Sequence, residues 1–375
     1  MERTEQVEVL IVGGGQSGLA LGYHLQKRGC SFLIVDRNER IGDSWRQRWD
    51  SLKLYSPASR DGLPGMPFPA AGRSYPTADE MADYLESYRA RFDLPVRLQT
   101  GVDALTHEDG RFVALGSKLS VEAETVVVAS GVFQKPYVPA FADGLDPSIT
   151  QLHSSAYRNA SQLQDGPVLV VGASHSGSDI AFESAAAHDV TLCGRDTGQL
   201  PAPIETRRGR VLFRGLFFFG THVLTVDTPP GRKMRTHIRH GGAPLLRYRR
   251  PELRAAGVDR VLARTVGVQD GLPLLEDGRV CDVRNVVWCT GFRPDFSWIR
   301  LPIELGDDGY PVQYRGASST SGLYFVGLPF LHSFASMLIG GAGRDTERVA
   351  EQIGSHRRLL VWNGTVRNVR DTAAV

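Results

Sequence analysis

Short apolar runs, separated by turns and helical stretches, set the pattern of this chain. Six runs are almost entirely apolar, which is typical of strands buried on both faces of a parallel sheet. They cover residues 7–12, 31–35, 125–129, 168–171, 286–289 and 322–327. Ala78 to Phe92 and Asp345 to Arg358 have helical spacing. Shorter runs at 96–98, 102–105, 111–115 and 119–121 predict a small antiparallel sheet. Alternating strands and helices predict an α/β fold.

A glycine-rich loop follows the first of these strands. Gly13, Gly15 and Gly18, with Gln16 and Ser17 among them, stand between that strand and a helical stretch. In this context the first glycine allows a tight turn, the second lets the backbone approach a pyrophosphate, and the third packs the helix on the strand. The free N–H groups at the helix N-terminus favour the same anion. We therefore expect a bound dinucleotide here.

A second loop of this kind follows the strand at 168–171. It consists of Gly172, Ala173, Ser174, His175, Ser176 and Gly177. A serine takes the place of the middle glycine, which weakens the motif when it is considered alone. The spacing restores it, because the intervals from Gly13 to Asp36 and from Gly172 to Arg195 are both 23 residues.

The residues that end these two intervals distinguish the cofactors. Asp36, which Arg37 follows, stands where an acid accepts the ribose hydroxyls and repels a 2′-phosphate. Arg195 stands where an arginine pairs with that phosphate. The second loop is therefore predicted to hold NADPH, and the first is predicted to hold the hydride acceptor, FAD.

Two further strand ends repeat each other. The run at 125–129 ends in Ala129 and is followed by Ser130 and Gly131, and the run at 286–289 is followed by Thr290 and Gly291. The repeat suggests paired half-structures. We predict two Rossmann-like dinucleotide-binding domains, with an NADPH domain of residues 156–292 inserted into an FAD domain of residues 1–155 and 293–375.

Two segments have no clear period. Gly42 to Pro57 contains Trp45 and Trp49, and either cofactor wrapping or core packing explains these tryptophans. Gln199 to Arg264 is interrupted by prolines, so that no long element is predicted; they include Pro201, Pro203, Pro229, Pro230 and Pro251. Covering a cleft, forming a subunit contact and lying on a membrane surface all stay open for it.

Composition limits the class of protein. At 375 residues, with 42% hydrophobic and 22% charged residues, two globular domains are expected. The four cysteines form neither a CxxC pair nor a metal-like spacing, so we expect thiols in a reducing compartment and no metal site. Met1 to Glu8 lacks the features of a signal peptide, and Val211 to Val226 is too short and too polar to span a bilayer. A cytoplasmic protein is expected.

Charge is unevenly distributed. The formal net charge is only +2, yet Arg207 to Arg254 contains 12 lysines and arginines against Asp227 and Glu252. Such a basic segment can attract nucleic acid, anionic lipid or a phosphorylated cofactor, or it can form solvated helix faces. The phosphate of NADPH is a sufficient target, and we expect no nucleic-acid partner.

Together with Gly42-Asp43-Ser44-Trp45, these landmarks resemble the flavin-containing monooxygenases, which are related to the Baeyer–Villiger monooxygenases, over nearly the whole chain. The resemblance implies FAD and NADPH as cofactors. It adds to the predicted cofactor contacts Ser44, Trp45, Val102, Met337 and Leu338. The family fingerprint FxGxxxHxxxY falls on Pro147, Ile149, His153 and Tyr157, so that its histidine and tyrosine are kept.

The resemblance also implies a reaction. NADPH and O2 would oxygenate a small soft nitrogen or sulfur nucleophile, or a ketone, through a C4a-(hydro)peroxyflavin. Its candidate catalytic residues are Ser56, Gln134, His153 and Tyr157. Ser56 stands where the family has an active-site asparagine, which keeps open an NADPH-dependent flavin oxidoreductase that passes electrons to an acceptor without oxygenation.

The same residues argue against two other classes of flavoprotein and indicate the partners to expect. A disulfide reductase requires a redox-active cysteine pair, which this chain does not contain. A flavin-bearing sensor would not need Arg195. The expected partners are a small-molecule substrate and O2, and a homodimer is possible.

Overall fold

The computed structural model describes residues 4–362, which form an α/β structure, as the sequence predicts, with one large sheet that has a parallel centre and a second sheet that is parallel throughout. Its strands are β1 (Glu5–Val12), β2 (Phe32–Val35), β3 (Val96–Arg97), β4 (Ala104–Glu108), β5 (Arg111–Gly116), β6 (Leu119–Val128), β7 (Lys135–Pro136), β8 (Thr150–His153), β9 (Val168–Val171), β10 (Val190–Cys193), β11 (Asp259–Val261), β12 (Thr265–Gln269), β13 (Leu272–Leu275), β14 (Asn285–Trp288), β15 (Phe292–Arg293), β16 (Gln313–Tyr314), β17 (Ala317–Ser318) and β18 (Leu323–Phe325). Its helices are α1 (Gln16–Lys27), α2 (Asp43–Arg46), α3 (Ala78–Arg91), α4 (His175–Ser184), α5 (Arg207–His222), α6 (Pro229–His240), α7 (Arg250–Ala255) and α8 (Ile339–Trp362), with 3-10 turns at 58–60, 140–144, 160–162 and 334–337.

The first sheet is built around β1. Its order is β16-β17-β18-β6-β1-β2-β3, and β4 and β5 extend it from β6. β1 pairs in parallel with β2 on one side and with β6 on the other. Leu10 and Ile11 in β1 are fully buried on opposite faces of the sheet. Each such side chain contributes about 1.5–3 kcal/mol through burial, which explains the uninterrupted apolar run.

The second sheet repeats the centre of the first. Its order is β11-β10-β9-β14-β8, and all of its pairs are parallel. β9 lies between β10 and β14 as β1 lies between β2 and β6. In both sheets the strand before the glycine loop is therefore flanked on one side by the strand that leads to Asp36 or Arg195. On the other side lies the strand that precedes Ser130-Gly131 or Thr290-Gly291. This arrangement confirms the predicted pair of Rossmann-like units.

Two chain crossings connect the sheets. β7 and β15 pair antiparallel between them, and the N–H of Tyr137 donates to the carbonyl of Gly291 at 2.9 Å. Lys135 and Asp295 add an ion pair of 2.6 Å. β8 pairs within the second sheet although it precedes the predicted boundary at residue 155. Residues 363–375 of the predicted FAD domain lie outside the described residues, and the domain boundaries stay a prediction.

The runs predicted to form a small antiparallel sheet are part of the first sheet: β4, β5 and the first half of β6 pair antiparallel, whereas β3, at the run 96–98, pairs in parallel with β2. The predicted strands at 119–121 and 125–129 form one strand, β6. Its first half pairs with β5, its second half pairs with β18, and β1 lies along most of its length. Polar residues alternate with buried ones in the first half of β6 because one face of this half is only partly buried. These polar residues are Ser120, Glu122 and Glu124.

Helices occupy the segment for which no long element was predicted. α5, α6 and α7 lie within Gln199 to Arg264, and prolines stand at the beginnings of two of them: Pro229 and Pro230 open α6, and Pro251 is in the first turn of α7. Proline is tolerated there because the first N–H groups of a helix have no partner within it. α8 also begins earlier than predicted, at Ile339. Within residues 4–362 no helix has both the length and the apolarity needed to cross a membrane.

Candidate functional site

The first glycine loop is shaped by backbone contacts. Gly13 has a φ of +117°, and a Cβ on it would lie 2.5 Å from the carbonyl oxygen of Ala129 at the end of β6. A Cβ on Gly18 would lie 1.9 Å from the carbonyl oxygen of Gly13. No side chain fits at either distance, so the first and third glycines are required by the fold of the loop itself.

The second loop has the same contacts at the corresponding atoms. Gly172 has a φ of +105°, and its Cβ would lie 2.3 Å from the carbonyl oxygen of Cys289, which follows β14. A Cβ on Gly177 would lie 1.7 Å from the carbonyl oxygen of Gly172. The repeat found in the sequence is therefore a repeat of local geometry, including the strand ends at Ala129 and Cys289.

The space in front of both helices suits an anion. Neither α1 nor α4 has an acid in its first turn, and among residues 4–362 no side chain of the N-cap position bonds to the first N–H groups of either helix. A Cβ on Gly15 would meet no atom within 4 Å. The first loop thus leaves unobstructed donors, with the positive end of the helix dipole behind them, which fits the pyrophosphate of a dinucleotide.

The two discriminating residues lie at matching positions. Asp36 follows β2, and its carboxylate accepts the N–H of Gly14 at 2.6 Å and the N–H of Asn38 at 2.8 Å. Arg195 lies two residues past β10 and is exposed, and its side chain has no partner among the described residues. Arg260 donates to the carbonyl of Arg195 at 3.2 Å, which brings a second guanidinium to the same edge. Both positions suit the predicted ribose and 2′-phosphate contacts.

A difference between the loops lies at the serine that replaces the middle glycine. Ser174 Oγ donates to the carbonyl of Ala243 at 2.9 Å and accepts the N–H of the same residue at 3.0 Å. His175 Nε2 bonds to the carbonyl of Pro244 at 2.8 Å, and its ring stacks on Tyr55 at 4.2 Å. Burial lowers the pKa of His175 to about 4, so this ring is neutral at neutral pH. The segment around Ala243 is thereby fixed beside the second loop.

Polar side chains join the two chain crossings between the sheets. Gln134 Nε2 donates to Ser130 Oγ at 2.8 Å and to the carbonyl of Gly131 at 2.9 Å, and its Oε1 accepts the N–H of Asp295. One glutamine therefore links the strand end at Ser130-Gly131 to the chain just after β15. We call this region between the two sheets the junction; it consists of Gln134 with its partners, His153 and Arg48.

His153 belongs to the same junction. Its Nε2 lies 2.9 Å from the carbonyl of Gly291, and its Nδ1 lies 3.1 Å from the N–H of Ser155. A carbonyl requires a donor and an N–H requires an acceptor, so these partners assign the neutral tautomer with the proton on Nε2. Burial lowers the pKa of His153 against the opposing hydrogen bond to Gly291, and the charge of Arg48 lowers it further.

Arg48 completes the junction and was not predicted from the sequence. Its guanidinium lies 5.0 Å from the ring centre of Phe133 and 5.5 Å from that of Phe292, and its Nε donates to the carbonyl of Ser44 at 3.2 Å. Burial lowers the pKa of this guanidinium. Phe133 is 67% exposed, although it packs against this half-buried cation. The only sequence signal was the arginine-rich loop after Gly42.

Comparisons with known proteins agree with this geometry. Residues 10–205 match the pyridine nucleotide-disulphide oxidoreductase family. An uncharacterized CzcO-like oxidoreductase of Geobacillus kaustophilus is 39% identical over 351 residues, which are 93% of this chain and 99% of that protein. The chain belongs to the pyridine nucleotide-disulphide oxidoreductase family.

Two further similarities refine the class of oxidoreductase. YUCCA3 of Arabidopsis thaliana, a probable indole-3-pyruvate monooxygenase, is 27% identical over 402 residues, covering 97% of this chain and 89% of its own. A flavin-containing monooxygenase of Stenotrophomonas maltophilia superposes with a TM-score of 0.74 at 26% identity, covering 94% of this chain and 100% of its own. The predictions of a flavin monooxygenase-like oxidoreductase with FAD and NADPH as cofactors are confirmed.

Ser56 of this oxidoreductase is buried beside an acid that the sequence analysis missed. Its Oγ donates to Asp61 Oδ1 at 2.5 Å, and Asp61 Oδ2 is buried without a described partner. Burial raises the pKa of Asp61 from 3.8 to about 7, and the hydrogen bond from Ser56 opposes that rise. A cavity of about 490 Å³ is lined by residues on both sides of Asp61 in the sequence, 58–60 and 62–63, and by Phe217 and Gly340 among others.

Tyr157 lies apart from the junction. It is fully buried in the core of the second sheet, where its hydroxyl donates to Glu183 at 3.0 Å. Trp49 packs in the same core, and Trp45 contacts the cores of both sheets. Of the two explanations for the tryptophans, core packing describes Trp49. A catalytic role for Tyr157 stays a prediction that this packing does not support.

The contacts assigned by resemblance occupy varied positions. Ser44 and Met337 are exposed, and Leu338 packs against the buried face of α5. Val102 is buried in the core beneath β1. Their proposed roles in cofactor binding rest on the resemblance, because no contact among the described residues distinguishes them.

Proposed function

We propose that this oxidoreductase is an NADPH- and O2-dependent monooxygenase of a small nitrogen or sulfur nucleophile or a ketone. The supporting observation is the pair of loops of equal geometry, of which one ends in Asp36 and the other in Arg195. FAD and NADPH supply the electron transfer and oxygen chemistry when bound. The balanced reaction converts NADPH, H⁺, O2 and substrate into NADP⁺, water and the substrate bearing one oxygen atom.

In this proposal the first loop binds FAD and the second binds NADPH. Gly13, Gly15 and Gly18 bring backbone and helix α1 to the FAD pyrophosphate, and Asp36 accepts the ribose hydroxyls. The FAD domain comprises residues 1–155 and 293–375, and the NADPH domain comprises residues 156–292. The chain's own work is to hold the two cofactors on a fixed scaffold and to keep water from the reacting atoms.

The side chains of the junction are suited to holding the strand ends of the two sheets in place. Gln134 fixes the strand end at Ser130 relative to the second crossing, and His153 does the same for Gly291. Both side chains are committed to backbone and neutral partners, so we assign them positioning roles. Arg48 brings a half-buried positive charge that stabilises developing negative charge nearby.

Asp61 favours a second candidate function. The hydroxyl of Ser56, which stands at the position of the family's active-site asparagine, is held by Asp61. A serine occupied in this way cannot donate to an oxygen-bearing group as an asparagine amide does. The alternative is an NADPH-dependent flavin oxidoreductase that delivers electrons to an acceptor without oxygenation.

Nucleotide preference tests the assignment of the second loop. With FAD-loaded protein we expect NADPH to be oxidised with a higher kcat/KM than NADH. Arg195→Ala lowers the NADPH value roughly 10–100-fold, since a charge-assisted contact of about 1.5–3 kcal/mol is lost. The NADH value is expected to be unchanged. Arg91→Ala, at an exposed helix end, is the matched control. Equal kcat/KM for both nucleotides in the unmutated protein would contradict the assignment.

Oxygen accounting separates monooxygenase from reductase. NADPH oxidation, O2 uptake and H2O2 release are measured with a panel of amines, thioethers, ketones and indole-3-pyruvate, the compound in the names of the Arabidopsis relatives. A monooxygenase incorporates label from ¹⁸O2 into product, and H2O2 release falls below one per NADPH. One H2O2 per NADPH with every compound, or faster reduction of an added electron acceptor, supports the second candidate.

A further inference from the structure

Helix α5 presents large apolar side chains to solvent. The α5 outer face consists of Val211, Leu212, Leu216, Phe218 and Phe219. Val211 is 70% exposed and Phe218 is 64% exposed, which are high values for side chains of this size. Contiguous exposed apolar groups usually mark a surface that contacts something else.

These side chains are not needed to hold the helix on the protein. Phe213 and Phe217 occupy its inner face and pack with Leu200, Ile204 and Leu246. The hydroxyl of Thr206 caps the helix by accepting the N–H of Gly209 at 3.0 Å. The helix is therefore anchored on one side and apolar on the other, whereas an ordinary surface helix has a polar outer side.

Basic side chains flank the α5 outer face. Arg207 and Arg214 lie four residues before Val211 and Phe218, and Arg208 lies four residues before Leu212, so each arginine shares its side of the helix with an apolar residue. All three arginines are exposed. The neighbouring helix α6 adds exposed Arg232, Lys233 and Arg235, and both helices contact the 334–337 turn.

Most of this charge has no ion-pair partner in the part of the chain that the structure describes. Among the described side chains, four basic residues of the segment 207–254 form ion pairs, namely Arg239, Arg247, Arg249 and Arg250. The acids of the segment are already engaged: Asp227 pairs with Arg315, and Glu252 pairs with Arg249. The eight other basic residues include all four arginines of α5, and none of the eight forms an ion pair among the described side chains; the charge of Arg235 acts on Asp308 without forming one.

We propose that the α5 outer face docks this protein on an anionic lipid bilayer. An exposed stripe of phenylalanine, leucine and valine enters the headgroup boundary, and the flanking arginines meet anionic headgroups. A second copy of the chain fits less well, because a two-fold contact on this face would set arginines against arginines. Nucleic acid fits the charge but not the apolar centre.

Vesicle binding tests the proposal with FAD-loaded full-length protein. Sedimentation is measured with vesicles of phosphatidylcholine alone and of phosphatidylcholine mixed with phosphatidylglycerol, at low and high salt. We expect binding to the mixed vesicles that weakens as salt rises, because headgroup attraction is screened. Binding to phosphatidylcholine alone is expected to be much weaker.

Two double variants separate the apolar and electrostatic contributions. Arg208→Gln/Arg214→Gln is expected to weaken binding to the mixed vesicles roughly 25-fold, about fivefold per arginine. Val211→Ser/Phe218→Ser is expected to weaken it at both salt concentrations. The matched controls are Arg73→Gln/Lys118→Gln and Leu262→Ser/Val266→Ser, which change exposed residues elsewhere and are expected to bind as the unmutated protein does.

The outcomes are distinct. Salt-sensitive binding that both α5 double variants reduce and both controls keep supports the proposal. Absence of binding, or equal weakening by the control pairs, overturns it. A concentration-dependent dimer that Val211→Ser/Phe218→Ser abolishes overturns it in favour of a second copy. NADPH oxidation by the same preparations, measured without vesicles, verifies that the variants are folded.

Discussion

Asp61 should make the stability of this protein depend on pH in a direction opposite to that of most aspartates. Its side chain is fully buried, and its pKa in the folded protein is about 7 against an ordinary value of 3.8. The folded state therefore binds the proton more tightly than the unfolded state does. The stabilisation from the protonated acid is complete below 3.8 and is lost as pH rises through 7.

The size of the effect follows from the two pKa values. Each unit of difference is worth about 1.4 kcal/mol, so that the whole shift corresponds to about 4 kcal/mol. Between pH 5 and pH 8 the loss is about 2.5 kcal/mol, because part of it already occurs below pH 5. For a domain of 150–250 residues this corresponds to a change in Tm of roughly 5–10 °C.

Asp61→Asn isolates this contribution from all other titrations. The asparagine oxygen can still accept the hydrogen bond of Ser56, but the side chain cannot ionise. The Tm of the variant minus that of the unmutated protein is therefore expected to rise by roughly 5–10 °C from pH 5 to pH 8, measured by thermal denaturation of FAD-loaded protein. A constant offset at all pH values does not affect this comparison.

Ser56→Ala gives a second, independent check. The hydrogen bond from Ser56 lowers the pKa of Asp61, so its removal raises that pKa, and the fall in stability should extend to higher pH. A Tm difference between Asp61→Asn and the unmutated protein that stays flat from pH 5 to pH 8 would refute the reasoning.

Two further predictions concern the loops and a buried arginine. Gly18→Ala places a Cβ 1.9 Å from a backbone carbonyl oxygen and should reduce the amount of bound FAD, measured by flavin absorbance, by more than tenfold. Gly177→Ala places a Cβ 1.7 Å from such an oxygen and should reduce the affinity for NADPH, measured by nucleotide titration, by more than tenfold. Gly215→Ala, whose Cβ would meet nothing within 4 Å, should change neither quantity. Arg247→Met removes the hydrogen bonds to the carbonyls of residues 53 and 54 and leaves the buried carboxyl of Asp179 without its cation, so the free energy of unfolding should fall by about 3–5 kcal/mol in denaturant melts. Arg264→Met, in an exposed ion pair, should cost at most about 1 kcal/mol, and equal losses would contradict the assigned difference in burial.

The sequence was most informative where local chemistry determines local shape. The apolar runs located most strands of the two main sheets, and the equal spacings to Asp36 and Arg195 placed two residues at corresponding strand ends. The repeated Ser130-Gly131 and Thr290-Gly291 became neighbours of the loops. These features depend on residues close together in the chain, or on a repeat that can be counted.

Contacts between distant residues could not be predicted in this way. Asp61 is close to Ser56 in the sequence, but only the burial of its side chain in the folded protein identifies it as an acid with a raised pKa. Arg247 reaches the carbonyl groups of residues 53 and 54, almost two hundred residues earlier, and no periodicity encodes that contact. The prolines misled for a different reason: the same residue ends a helix from within and begins one at its first turn.

The four close approaches in the glycine loops also limit how this protein can evolve. The atoms that exclude a Cβ from Gly13, Gly18, Gly172 and Gly177 are all backbone carbonyl oxygens. A neighbouring side chain can be trimmed by a second mutation, but every amino acid carries the same carbonyl. When one of these glycines is replaced, substituting the residue whose carbonyl oxygen meets the new Cβ therefore does not relieve the clash. The function of the loop is then recovered mainly by restoring the glycine itself.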